Sequence, residues 1–88
     1  MGMRSYLLED GRTIEVCVEI GQWSAWLKDD ARSQVIGFPL EGVLMEVMGL
    51  NPAHHDVPFS VRHLADRVRS DFPREEWPSG PLTAQRRR

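Results

Sequence analysis

Eighty-eight residues, 41% apolar and 27% charged, suffice for one small domain, and so thin a core makes dimerisation or partner binding an expected part of its stability. No apolar run nears the roughly 18 residues of a membrane span, the start MGMRSYLLED is too charged for a signal peptide, and one cysteine cannot form an internal disulfide, so the cytoplasm is the expected compartment. Residues 1–56 hold nine acids against four bases and residues 57–88 seven bases against four acids, so the first part suits a basic protein partner and only the second attracts nucleic acid, weakly.

The first elements read as strands. Asp10-Gly11 is a two-residue hairpin signal, because both residues tolerate the positive φ of a type I′ turn. Here that loop pairs Glu9 with Arg12 and Leu7 with Ile14, and brings Met3 toward Val18. Gly21-Gln22 offers a second turn of the Gly-X kind. It pairs Ile20 with Trp23, Val18 with Ala25 and Val16 with Leu27 on one dry face. The other face then pairs Glu19 with Ser24, Cys17 with Trp26 and Glu15 with Lys28. The spacing predicts a three-stranded antiparallel meander at about 3–9, 12–20 and 23–28. KDDARSQ reads as a polar loop, and residues 34–36 as a short fourth strand. A rival reading makes 22–35 a helix, since Trp23, Trp26, Leu27 and Ala31 fit helical spacing; it would set Asp30 and Gln34 on the apolar stripe.

Two helices follow. In GFPLEGVLMEVMGL, Pro39 suits the first helical position and Glu41 complements the helix dipole. Leu40, Val43, Leu44, Val47 and Met48 form one stripe, and Gly49 ends it as a left-handed cap with Leu50 packing back. This predicts a helix at about 39–48. NPAHHDVPFS, bracketed by two X-Pro pairs, reads as a stiff connector. The next helix, at about 60–72, has Ser60 as its N-cap and Val61, Leu64, Ala65, Val68 and Phe72 on one face. Pro73 stops it. Residues 1–72 thus form a single α+β domain with both helices on one face of the meander, and 73–88 a disordered Pro/Arg-rich tail.

No residue set carries an expectation of catalysis, metal or cofactor. His54 and His55 are adjacent, so their side chains diverge, and His63 points away from the apolar face of its helix; no cysteine or carboxylate stands at ligand spacing from them. Cys17 reads as a small apolar filler. The second face of the sheet is more informative. It is expected to carry Tyr6, Leu8, Cys17 and Trp26, with Arg4, Glu15, Glu19 and Lys28 among them. Tyr, Trp and Arg are the types most enriched at binding hot spots. The candidate protein-contact residues are Tyr6, Glu15, Glu19, Trp26, Asp29 and Asp30. Arg62 and Arg69 on one flank of the last helix, and Arg67 on the other, are the candidate nucleic-acid contacts, diluted by Asp66.

The segment GQWSAWLKDDARSQVIGFPLEGVLMEVM resembles the core of HicB-like antitoxin domains, within a similarity spanning about residues 13–48. Trp23 and Ala25 match the family's Gly-aromatic-x-Ala strand. Gly37, Leu40, Glu41 and Leu44 match its helix-opening pattern, with Pro39 for Thr and Val43 for Ala. The resemblance implies a βββαβ fold that neutralises a small, basic ribonuclease toxin by covering it. The expected function is therefore a noncatalytic intracellular module, antitoxin- or inhibitor-like, that binds a basic protein; a homodimer is compatible with its size. The alternatives are a ribbon-helix-helix DNA-binding regulator, which needs the helical reading of 22–35 and would face Glu15 and Glu19 toward DNA, and a thiol- or metal-dependent enzyme.

Overall fold

The computed structural model describes residues 2–53 and 56–78. The chain runs β1 (Arg4–Leu7), β2 (Thr13–Glu19), β3 (Gln22–Leu27), β4 (Asp30–Gly37), α1 (Leu40–Val47), α2 (Phe59–Asp71) and a 3₁₀ turn, Arg74–Glu76. The strands form one antiparallel sheet in the order β1-β2-β3-β4. Ile14, Val16, Trp23 and Ala25 on one face of the sheet share a core with Leu40, Leu44, Val61, Ala65 and Val68 of the helices. This is the expected α+β architecture. Residues 22–27 and 30–37 are strands joined by a tight turn, so the rival helix over 22–35 does not form. The βββαβ order implied by the resemblance differs at its end: among the described residues α1 is followed by a helix and not a strand.

Loop length decides which side chains enter the core. The first hairpin closes through Leu8 N–H to Arg12 O at 2.7 Å and Gly11 N–H to Leu8 O at 3.0 Å. Its loop is therefore three residues, Glu9-Asp10-Gly11, with Gly11 at φ 93°. A turn followed by a left-handed glycine is the usual three-residue solution. Relative to a two-residue loop it slides the register by one, so Tyr6 and not Leu7 faces Ile14. A slip of one turns every side chain over. Tyr6 and Leu8 are buried, while Leu7 and Met3 are 72% and 51% exposed, the reverse of the expectation for this strand.

The second hairpin turns at Ile20-Gly21, with φ of 53° and 71°. Two positive φ values are the signature of a type I′ turn, whose twist matches that of the flanking strands. The register slides by two, so Val16 faces Ala25 and Glu15 faces Trp26. A slip of two preserves the faces, and Ile14, Val16, Trp23 and Ala25 stay inside. The third strand pair was expected to be short, yet β4 spans eight residues. The segment expected as a loop is extended, with a bulge near Trp26. Ser33 Oγ patches that irregularity by accepting from Leu27 N–H at 2.7 Å and donating to Asp30 O at 2.6 Å.

Helix α1 starts one residue later than expected, with Pro39 as its N-cap. It ends as the glycine implies. Leu50 N–H donates to Met45 O at 2.8 Å and Gly49 N–H to Glu46 O at 3.1 Å, the two bonds of a Schellman motif. Helix α2 starts after Pro58, so Ser60 lies inside the helix and caps nothing. Its five expected face residues, Val61, Leu64, Ala65, Val68 and Phe72, are all buried. Arg69 Nη1 and Nη2 donate to the Glu41 carboxylate at 3.0 and 2.8 Å and clamp α2 to α1. Part of the expected tail is ordered: Trp77 packs on the core, and its Nε1 donates to Phe72 O at 2.9 Å. The rest of that expectation, 79–88, lies outside the described residues. No described helix is long and apolar enough to cross a membrane.

Candidate protein-interaction surface

The second face of the sheet is built by residues alternating with the core positions of each strand. Glu15 and Trp26 are directly opposite in the β2–β3 ladder. Trp26 Nε1 donates to Glu15 Oε1 at 2.9 Å, and Ser5 Oγ from β1 donates to Glu15 Oε2 at 3.3 Å. The carboxylate thus fixes a half-buried indole at the middle of the sheet. A neighbouring network links β4 to β2 and β3. Gln34 Nε2 donates to Ser24 Oγ at 2.9 Å and to Glu19 Oε1 at 3.2 Å, and Ser24 is fully buried. Both sets tie long polar side chains down, which lowers the ordering cost of any contact made there.

Apolar groups interrupt this polar lattice. Leu7 is 72% exposed on β1 and Ile36 is 44% exposed on β4. Cys17 is half-buried between Glu15 and Glu19. Burial pushes its thiol upward, the charge of Glu19 adds to that, and only the Ser24 hydroxyl opposes it. Little thiolate forms at neutral pH, which leaves Cys17 a poor nucleophile. At the β3–β4 end, Asp29 lies in the turn and Asp30 opens β4, its Oδ1 accepting from Arg32 N–H at 3.1 Å.

Five of the six expected contact residues, Glu15, Glu19, Trp26, Asp29 and Asp30, therefore belong to this face or its rim. Tyr6 does not, because the three-residue loop turns it inward. Its O–H donates to Asp71 Oδ2 at 2.7 Å, and the Arg67 guanidinium lies 5.3 Å from its ring centre. Burial, and then the bond to Asp71, push the phenol well above its ordinary range. Arg4 and Leu8, also expected outside, follow Tyr6 to the helical side: Leu8 is buried, and Arg4 donates to Asp71 O at 3.4 Å and lies 5.9 Å over Phe72.

The three arginines of α2 do not form a cationic row. Arg69 is held by Glu41 with Asp66 3.9 Å away, and Arg67 covers Tyr6, which leaves Arg62 pointing to solvent. His63 stacks on Phe59 with ring centres 6.1 Å apart. His54 and His55 lie outside the described residues, and among the described ones no three of His, Cys, Asp or Glu converge to hold a metal ion. A groove of about 380 Å³ runs between the first hairpin loop and α2, walled by Leu7, Met48, Phe59, His63 and Arg67. The sequence reading missed it because it needs Leu7 outside. No protein-family model, no curated protein and no solved structure matches this chain.

Proposed function

We propose that this chain is a noncatalytic protein-binding module, antitoxin- or inhibitor-like, that holds a basic protein on the sheet face opposite its helices. The observation that carries this reading is the Trp26–Glu15 pair, 2.9 Å apart on a face that no described element covers. A fixed aromatic beside a carboxylate offers both an apolar anchor and a partner for Lys or Arg. Glu19, Asp29 and Asp30 extend the negative charge along the same face and its rim, where Arg12, Lys28 and Arg32 supply positive charge. The resemblance to HicB-like antitoxin domains supports the inhibitory character, since β3 and α1 carry the matching residues Trp23, Ala25, Leu40, Glu41 and Leu44.

The test is to isolate a binding protein, identify it, reconstitute the complex from purified components and compare variants. The partner should be basic, its association rate should fall with added salt, and Trp26→Ala should weaken the complex at least tenfold. An acidic partner, or unchanged affinity with Trp26→Ala, would remove this surface from the binding site.

A further inference from the structure

The two edges of the sheet are treated differently. Side chains facing α2 cross β1: Tyr6 bonds Asp71, Arg4 bonds the Asp71 carbonyl, and Arg67 lies over Tyr6. β1 is also short, at four residues. β4 is twice that length, and among the described residues nothing pairs with its outer side. A row of backbone N–H and C=O groups is left there to water. Natural sheets guard such an edge with lysines, prolines, inward charges or bulges. β4 has no lysine, proline or charge from Ser33 to Gly37, its register shift against β3 falls between Asp30 and Val35, and Ile36 and Phe38 are 44% and 42% exposed beside it.

The charge pattern along β4 says what fits. Asp30 and Arg32 stand at one end with opposite signs, and residues 33–38 are uncharged. Antiparallel pairing about a two-fold axis at Gln34 sets Arg32 opposite Ile36 and leaves Asp30 just past the partner strand's end at Gly37. No like charges meet, and the alkyl stem of Arg32 lies along an exposed isoleucine. This match is self-complementary, so one sequence supplies both halves of it. The net charge of −2 opposes self-association only weakly. We propose that two copies of this chain pair through β4 into a continuous eight-stranded antiparallel sheet. Both Trp26 faces then lie on the same side of the dimer.

The experiment is light scattering on the full purified chain across a dilution series, without any partner, so its outcome is independent of the proposed function. The expected result is a mass twice the 10.1 kDa of one chain at high micromolar concentration, falling toward one chain on dilution. Ile36→Lys should shift dissociation to at least tenfold higher concentration, with far-ultraviolet circular dichroism unchanged. Leu7→Lys, a change at a more exposed position on β1, should leave the dimer intact. Should either variant lose its fold, amide hydrogen exchange on the unaltered chain serves instead: β4 amides should exchange faster on dilution while β2 amides do not. A single-chain mass at every concentration, a dimer untouched by Ile36→Lys in a folded protein, or a dimer broken by Leu7→Lys alone would overturn the proposal.

Discussion

Replacing Ile20 with asparagine should stabilise the protein. Ile20 sits at φ 53°, the first of two left-handed positions in the β2–β3 turn. A left-handed conformation costs an L-residue roughly 1–2 kcal/mol, and a β-branched side chain lies at the upper end. Asparagine tolerates the region far better, and Asn-Gly is the preferred pair for this turn. The side chain is 80% exposed, so little burial is lost. Full burial of isoleucine is worth about 2–3 kcal/mol, so a fifth of it is about 0.5 kcal/mol. The net gain is about 1 kcal/mol, or about 4–8 °C in Tm for a domain of this size. Urea unfolding followed by tryptophan fluorescence measures it, with the slope m unchanged. Ile20→Val keeps the branching and should gain nothing. A midpoint for Ile20→Asn equal to or below that of the unaltered chain, at constant m, would refute the strained-turn argument.

The two central tryptophans should separate sharply. Trp23 is 2% exposed and meets Phe72 edge-on at 5.6 Å, so Trp23→Ala should cost about 3–5 kcal/mol and leave little folded protein, while Trp26→Ala should keep a cooperative thermal transition. The bond from Arg69 holds the Glu41 carboxyl below its ordinary range. A depressed carboxyl contributes stability above its unfolded pKa and loses it as pH falls through the folded value. Arg69→Met should therefore cost about 1–2 kcal/mol at pH 7, with the difference shrinking in acid; chemical denaturation at several pH values checks this. Because burial pushes the Cys17 thiol upward, iodoacetamide should label it more slowly at pH 7.5 in the folded protein than in urea.

The helices were legible because their signals are local. The spacing of Val61, Leu64, Ala65 and Val68 admits one buried face, and Gly49 with Leu50 specifies the end of α1. The sheet was legible only in part, since register depends on loop length. Tyr6, Leu7 and Leu8 are three consecutive apolar residues, so alternation cannot choose which of them turns inward. The choice falls to a loop of three residues where Asp10-Gly11 suggested two. In the second hairpin the error was two residues, which misassigns partners and keeps faces, so Trp26 was placed correctly while its partner Glu15 was not foreseen. Only residues 34–36 of β4 were legible as strand, because its core side offers Ser33, Val35 and Gly37, mostly small residues that give a faint alternation. The candidate surface was thus half visible: its acids and indole were named, and Leu7 and Ile36 were not.

The most direct measurement of the central claim is amide hydrogen exchange on the reconstituted complex with the protein's own partner. Binding to the open sheet face should slow exchange around Glu15, Glu19 and Trp26 and leave the solvent side of α2, at Arg62 and Asp66, unchanged. Protection confined to α2 with no change in β2 and β3 would contradict the account.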